Sequence, residues 1–131
     1  MKKILLIDDD HVSNFINQKI IQRSGISSEI IVCKSGRCGL DILDNLMNAE
    51  TAGPEIILLD INMPIMDGFG FLDEFKKYPP AFIQDIKIVM LTSSLNESDK
   101  IRSLEYDCVV DFFNKPLSQD KLIELGKFVS C

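Results

Sequence analysis

The sequence lacks the features of a membrane, secreted or nucleic-acid-binding protein. No apolar run approaches the roughly 18 residues that a membrane-spanning helix needs. The first apolar run turns acidic at Asp8, which makes it too short for a secretory signal. Basic residues are few, since 14 Lys and Arg stand against 20 Asp and Glu, and the net charge of −6 repels a phosphate backbone. We therefore expect a cytoplasmic protein without membrane insertion or direct nucleic-acid binding.

The chain also lacks the residue spacing of a zinc site. Its four cysteines (Cys33, Cys38, Cys108 and Cys131) form no CxxC pair, and the single histidine, His11, lies away from them in sequence. Two disulfides are the alternative to free thiols. Because an unpaired cysteine packs as a small apolar side chain, we predict free and mostly buried thiols, with any redox role left open.

There is no room for a second folded domain in 131 residues, and no repeat or low-complexity segment. The composition, 46% hydrophobic and 26% charged, is that of a globular domain. Folding at this length buries roughly two thirds of the surface of the unfolded chain, which is enough for a core without disulfides or metals.

Five short apolar runs predict the strands, at residues 4–7, 30–33, 56–59, 86–91 and 109–113. They are continuous instead of alternating, which is typical of strands buried on both faces of a parallel sheet. Segments with helical spacing lie between them, whereas residues 78–84 are predicted to be an ordinary connection. The first helical segment is predicted to start at a cap, Asp10, to end at Gly25, and to carry the apolar stripe Val12, Phe15, Ile16, Ile20 and Ile21. Ser35 and Asn96 are predicted to cap two later helices.

This alternation predicts an α/β fold, a three-layer doubly wound (βα)5 sandwich whose parallel sheet has the order 2-1-3-4-5. In such sheets ligands bind beyond the carboxyl ends of the strands, at the point between strands 1 and 3 where the winding reverses. Strand 1 is followed by Asp8, Asp9 and Asp10, and strand 3 by Asp60. Neighbouring strands lie about 4.8 Å apart, so these carboxylates are expected to converge, although Asp10 is better explained as a helix cap.

Clustered carboxylates need a counter-charge. Two like charges about 4 Å apart repel by roughly 4 kcal/mol at a near-surface dielectric, and a divalent cation removes this cost. Ligands that are all oxygen favour Mg²⁺ over zinc, and the spacing does not fit a calcium loop. Thr92 and Lys115 follow strands 4 and 5 at the same rim and offer donors for phosphate oxygens. The set is equipped to move a phosphoryl group onto or off a carboxylate. Pro116 after Lys115 indicates a fixed turn, for which a cis bond is one option.

Four stretches resemble the receiver domain of two-component response regulators. They read ILLIDDD at 4–10, LLDINMPIMDG at 58–68, MLTS at 90–93 and DFFNKP at 111–116, and the resemblance covers essentially the whole chain. It implies a flavodoxin-like fold with Asp60 as the phosphoacceptor and Thr92 and Lys115 as ligands of the phosphoryl oxygens. It further implies that Mg²⁺, or Mn²⁺ in its place, is held by Asp8, Asp9, Asp60 and the main-chain carbonyl of Asn62.

The resemblance also implies a conformational switch. Thr92 is expected to move toward the phosphoryl group and Phe112 to rotate, which reshapes the face formed by the fourth predicted helix, the fifth strand and the fifth helix. The alternative for Phe112 and Phe113 is a plain core role. Asn62 and Ser94 match positions that tune phosphoryl lifetime. Cys108 and Ser93 depart from the usual Gly and Ala, but both are small. Basic residues of the switch face are expected to contribute to partner choice, namely Lys100, Arg102, Lys121 and Lys127.

The function implied is that of a signalling phosphoacceptor, not an enzyme, with residues 1–131 forming one receiver domain without an output domain. It would accept phosphate from a sensor histidine kinase or a histidine phosphotransfer protein and would act on a downstream target protein. We expect a monomer, with dimerisation on phosphorylation left open. One alternative is a phosphohydrolase of the haloacid dehalogenase type, whose second Asp is Asn62 in this chain. The other is a receiver-like binding module that works without phosphorylation.

Overall fold

Strands and helices alternate along the described residues, 3–26 and 29–128 of a computed structural model. The strands are β1 (Lys3–Ile7), β2 (Glu29–Cys33), β3 (Ile56–Leu59), β4 (Lys87–Thr92) and β5 (Val109–Asn114). The helices are α1 (His11–Ser24), α2 (Gly36–Asn48), α3 (Gly68–Phe75), α4 (Pro80–Ile83), α5 (Glu97–Leu104) and α6 (Gln119–Gly126). Among the described helices, none combines the length and apolar composition that crossing a bilayer requires.

The strands form one parallel sheet in the order β2-β1-β3-β4-β5, as predicted. The register sets Ile7 beside Leu59 on the two central strands. The residues that follow, Asp8 and Asp60, therefore leave the sheet side by side. On the other half of the sheet, Thr92 lies opposite Asn114, the residue before Lys115.

Alternate residues of the central strands face two separate hydrophobic clusters. Leu5 and Leu59 contribute to a cluster shared with α2 and α3, whereas Leu6 and Leu58 contribute to a cluster shared with α1 and α6. Both faces of the sheet are therefore covered, which confirms the three-layer prediction and explains why the strand sequences are continuously apolar.

The predicted helix caps are confirmed. The side chain of Asp10 accepts hydrogen bonds from the backbone N–H groups of Val12 and Ser13, and α1 ends at Gly25 with φ of 75°, a left-handed conformation that favours glycine. Ser35 and Asn96 cap α2 and α5 in the same way as Asp10.

The segment predicted to be an ordinary connection contains a one-turn helix, α4. Pro80 occupies its first position, where a missing N–H costs nothing, and Pro79 precedes it. Helical periodicity cannot be recognised in four residues, so the sequence pattern did not reveal this turn. The switch face named above corresponds to α5, β5 and α6.

The apolar stripe of α1 faces the core only at its carboxyl-terminal end, where Ile21 is buried and Ile20 packs against the core. Val12 and Phe15 are 62% and 59% exposed, whereas Asn14 and Asn17 are only 4% and 2% exposed. The cap at Asp10 fixes where the helix begins, and the side-chain amide of Asn14 donates to the main-chain oxygen of Asp8 at 2.7 Å. These bonds to the end of β1 orient the polar side of the helix toward the sheet.

The prediction of free thiols is wrong for two cysteines, because Cys33 and Cys38 form a disulfide. Cys33 is the last residue of β2, and α2 begins directly after its cap, Ser35. Cys38, in the first turn of α2, therefore lies close to the end of the strand, and the two Cα atoms are 5.6 Å apart. That separation is within the normal range for a disulfide. Cys108 is a free, half-buried thiol as predicted, and burial raises its pKa. Cys131 lies outside the described residues.

Candidate functional site

Three carboxylates converge at the carboxyl ends of β1 and β3. One carboxylate oxygen each of Asp8, Asp9 and Asp60 can be chosen so that all three lie within 4.8 Å of one another. Asp8 and Asp60 are buried, whereas Asp9 is exposed at the mouth of the pocket. Asp10 does not join them, because its side chain caps α1. The predicted convergence is confirmed.

Lys115 is the cation that faces this pocket. Its Nζ donates to Oδ2 of Asp8 and lies 3.2 Å from Oδ2 of Asp60. The side chain is only 15% exposed. Burial by itself would lower the pKa of Lys115, but the hydrogen bond to Asp8 and the charges of Asp60 and Asp8 outweigh it and raise that pKa. The Lys115–Pro116 peptide bond is cis.

Asp8 is held by its backbone as well as by its side chain. Its N–H donates to the carbonyl of Cys33 at 3.1 Å, and its Oδ1 accepts from the N–H of Asp10 at 2.9 Å. Burial raises the pKa of Asp8 in spite of the hydrogen bond from Lys115, and the charge of Asp60 adds to the increase. The hydrogen bond and charge of Lys115 therefore do not fully offset the cost of burying this carboxylate.

The charge balance of the pocket fits a divalent cation. Among the residues that the structure describes, three carboxylates face the ammonium group of Lys115, and carboxylate oxygens are hard ligands of the kind that Mg²⁺ and Mn²⁺ prefer. Asp9 is exposed and gives the cation a route from solvent. The donor set suits a divalent ion without any sulfur or nitrogen ligand.

The loop between β3 and α3 packs closely over Asp60. Oδ1 of Asp60 accepts from the N–H of Ile61 at 2.7 Å, which leaves Oδ2 directed at Lys115. A Cβ atom on Gly68 would come within 2.6 Å of the main-chain oxygen of Asp60, so only glycine fits there. Asn62 is exposed in this loop, and Ile65 is fully exposed with φ of 70°.

Thr92 approaches the pocket from β4 and is fully buried. Its hydroxyl oxygen accepts from the N–H of Ser94 at 3.2 Å, and its main-chain oxygen accepts from the N–H of Lys115 at 2.9 Å. Thr92 and Lys115 are thus brought to the same rim by pairing of their strands, as the sequence predicts.

The two phenylalanines of β5 differ in surroundings. Phe113 is buried in the hydrophobic cluster shared with α1 and α6, so the prediction of a plain core role holds for Phe113. Phe112 points to the opposite face, where it is half-buried against the other cluster. The two rings therefore lie on opposite faces of the sheet, a difference that sequence alone could not show.

The basic residues of the α5–β5–α6 face are more engaged than the sequence suggests. Arg102 stacks 4.0 Å from the ring centroid of Phe69, and Lys127 lies 3.2 Å from Glu124. Lys121 donates to the main-chain oxygen of Asn114, whereas Lys100 is exposed.

Sequence reasoning missed two asparagines that support the pocket, Asn14 and Asn114. Asn14 bonds to the backbone of Asp8, and its Oδ1 is buried without a partner among the described residues. Asn114 bonds through its side chain to the main-chain oxygen of Ser94. No pattern in the sequence marks either residue, because Asn14 lies off the predicted apolar stripe and Asn114 directly follows the last apolar run.

Comparisons with known proteins agree with this geometry. The family description "response regulator receiver domain" matches residues 4–126. Response regulator Rcp1 of Synechocystis sp. is 35% identical over 105 residues, which are 79% of this chain and 70% of Rcp1. A crystal structure of a two-component response regulator from Cytophaga hutchinsonii is similar with a TM-score of 0.89 and 33% identity, over 97% of this chain and 95% of that chain. The Mn²⁺-bound form of Rcp1 is similar with a TM-score of 0.75 and 30% identity, over 97% and 90% of the two chains.

Proposed function

The chain belongs to the response regulator receiver domain family, whose members are signalling phosphoacceptors and not enzymes, and we propose that Asp60 is its phosphoacceptor. One observation carries this proposal: the carboxylate of Asp60 lies in an acidic pocket beside the largely buried ammonium of Lys115. We further propose that the phosphoryl donor is a phosphohistidine of a sensor histidine kinase or of a histidine phosphotransfer protein.

In the proposed reaction, a carboxylate oxygen of Asp60 attacks the phosphorus of the phosphohistidine. The bond between phosphorus and the imidazole nitrogen breaks, and the imidazole leaves with the electron pair and takes up a proton. The ammonium of Lys115, 3.2 Å from Oδ2 of Asp60, stabilises the charge that builds up on the phosphoryl oxygens. The hydroxyl of Thr92 accepts from the N–H of Ser94, so its own hydrogen is available to a phosphoryl oxygen once the side chain shifts toward the pocket.

We assign the cation site to Asp8, Asp9, Asp60 and the main-chain carbonyl of Asn62. When bound, Mg²⁺ would neutralise charge on the transferring phosphoryl group, and Mn²⁺ would serve in its place. The convergence of the three carboxylates supports this assignment, as does the Mn²⁺-bound form of the relative Rcp1.

The donor protein must cover the mouth of the pocket, and exposed apolar side chains flank that mouth. Helix α1 begins at His11, two residues after Asp9, and presents Val12, Phe15 and Ile16 to solvent. The β3–α3 loop presents Ile65. Large apolar side chains exposed on segments that adjoin the site are typical of an interaction surface. We propose that the phosphohistidine protein packs on this surface.

The signal is proposed to leave through the face formed by α5, β5 and α6. A phosphoryl group on Asp60 adds charge and three acceptor oxygens, and it favours the conformation in which Thr92 and Lys115 satisfy them. Half-buried Phe112 then rotates into space that Thr92 vacates. A downstream protein reads the changed surface.

The proposal is tested by incubating the protein with acetyl phosphate or phosphoramidate and Mg²⁺ and measuring the intact mass. We expect one added phosphoryl group, which Asp60→Asn and removal of Mg²⁺ by a chelator both abolish. Asp10→Asn is the matched control, because asparagine keeps the cap of α1 and Asp10 lies outside the pocket. A wild-type protein whose mass stays unchanged contradicts the proposal and leaves the binding-module alternative, whereas steady turnover of a phosphate ester would favour a phosphohydrolase.

A further inference from the structure

Asn114 links the strand that leads to Lys115 with the loop that follows Thr92. It is the last residue of β5 and lies opposite Thr92 in the sheet. Its Nδ2 donates to the main-chain oxygen of Ser94 at 2.8 Å, across 20 positions of sequence. Its own main-chain oxygen accepts from Nζ of Lys121 in α6. One residue thus bonds to the β4–α5 loop through its side chain and to α6 through its backbone.

Ser94 is held through all of its polar groups. Its N–H donates to the hydroxyl oxygen of Thr92 at 3.2 Å, and its hydroxyl donates to Oδ2 of Asp99, in the first turn of α5, at 2.8 Å. Its carbonyl accepts from Asn114. The positions of the Thr92 hydroxyl, the β4–α5 loop and the start of α5 are therefore linked through Ser94.

The partner of the Thr92 hydroxyl shows what has to move. Within residues 3–26 and 29–128, the hydroxyl of Thr92 is hydrogen-bonded to Ser94 and not to Asp60. To reach a phosphoryl oxygen on Asp60, the side chain has to shift toward the pocket, and the N–H of Ser94 must follow it or lose its acceptor. Asn114 opposes that shift, because it is hydrogen-bonded to the main-chain oxygen of Ser94.

We propose that the hydrogen bond between Asn114 and Ser94 is a latch that holds the β4–α5 loop in its unphosphorylated position. This inference rests on the proposed function. Asn114 is a positioning residue, since it acts on the pocket through Ser94 and Thr92. Asn114 is anchored by the pairing of β4 with β5 and by the hydrogen bond from Lys121. The β4–α5 loop is therefore the part that moves when the latch opens.

The latch sets how readily the protein enters the phosphorylated conformation. A hydrogen bond of this kind changes an equilibrium by about two- to tenfold when it is made in only one of two states. Because the latch is made in the unphosphorylated state, its removal favours the other state by that factor. The same loss raises the rate at which small phosphoryl donors modify Asp60.

Two variants of Asn114 test the latch, with phosphoramidate and beryllofluoride as probes in the presence of Mg²⁺. Asn114→Ala removes the donor and the side-chain volume, whereas Asn114→Leu removes the donor but keeps the volume. We expect both variants to raise the initial phosphorylation rate, measured by intact mass, and the affinity for beryllofluoride, measured by titration calorimetry, about two- to tenfold. Two variants also protect the test from a single failure to fold.

Tyr78→Phe is the matched control. It removes a half-buried side-chain hydrogen bond, from Tyr78 to Oδ1 of Asp44 at 2.6 Å, that lies away from the pocket. We expect lower stability in this variant with unchanged phosphorylation and beryllofluoride binding.

Two results overturn the latch. In the first, the wild-type protein is phosphorylated, and both Asn114 variants match it within error in phosphorylation rate and in beryllofluoride affinity. The second is a decrease in either quantity. A wild-type protein that takes up no phosphoryl group overturns the proposed function and the latch together, so the two failures are distinguishable.

Discussion

The Nζ atom of Lys115 lies 3.2 Å from Oδ2 of Asp60, although 55 positions separate the two residues in sequence. The same ammonium group donates to Asp8. Lys115, directly after the edge strand β5, therefore contacts the carboxylates that follow β1 and β3. Lys115 therefore occupies the position that a phosphoryl group and a metal ion would both approach. It offsets the negative charge of both carboxylates and competes for the oxygens that would hold a cation.

Replacing Lys115 by Ala is expected to separate these two roles. Mg²⁺ should bind at least about tenfold more tightly, because the variant lacks the ammonium group that repels the divalent ion, and each roughly 1.4 kcal/mol of repulsion removed is a factor of about ten in affinity. Phosphorylation of Asp60 should fall below detection in the same variant. Titration calorimetry and intact mass measure the two effects. Lys127→Ala, at an exposed ion pair with Glu124, serves as the control, and weaker Mg²⁺ binding by Lys115→Ala would contradict the competition.

Asp9 is expected to serve cation binding with little part in stability. It is the exposed member of the carboxylate group, so Asp9→Asn leaves no buried charge unpaired. We expect a loss of about tenfold or more in Mg²⁺ affinity with a change of at most about 0.5 kcal/mol in the free energy of unfolding. Calorimetry and urea denaturation check this, with Asp10→Asn beside it. Equal Mg²⁺ affinity in the two variants would show that Asp9 is not a ligand.

The exposed apolar face of α1 predicts a variant that affects only protein donors. The donor is a histidine kinase or phosphotransfer domain that phosphorylates the wild type. Phe15→Ser should slow phosphotransfer from this donor by about tenfold, because truncating one well-packed interface residue costs about that much in binding. Phosphorylation by acetyl phosphate should stay unchanged, since the pocket is intact. Ile123→Ser, on the exposed side of α6, is the matched control. A rate from the protein donor equal to that of Ile123→Ser would remove α1 from the docking surface.

Tyr78 predicts how stability depends on pH at the alkaline end. Burial raises the pKa of Tyr78, and the hydrogen bond to Asp44 adds to the increase. Since its pKa in the folded state lies above the unfolded value of about 10, its contribution is complete below that pH and is lost progressively as the pH rises further. Urea midpoints measured from pH 8 to 11 should therefore fall more steeply for wild type than for Tyr78→Phe. Parallel curves would show that the pKa of Tyr78 is not shifted.

Much of the fold and the pocket could be predicted because the information is local. Continuous apolar runs mark strands covered on both faces, and a polar residue at the end of such a run has to leave the sheet at its rim. That reasoning placed Asp8, Asp60, Thr92 and Lys115 together, and the structure confirms the convergence of the carboxylates and Lys115. The cap at Asp10 followed from the residue type in the same way.

Other features depend on contacts that no local pattern contains. The disulfide between Cys33 and Cys38 required the sharp turn from β2 into α2, and the spacing of the two cysteines did not indicate it. The exposure of Phe15 required knowledge that Asn14 bonds to the backbone of Asp8, which turns the first half of the apolar stripe of α1 away from the core.

The sequence by itself determined the order of elements, the residue types at the strand ends and hence the chemistry open to the pocket. Only the tertiary structure decided which groups hold those residues in place. The bonds from Asn14 to Asp8 and from Asn114 to Ser94 join segments that are brought together by helix packing and strand pairing. Each bond needs an asparagine amide and a main-chain oxygen within hydrogen-bond distance, and the packing of the elements alone decides that distance.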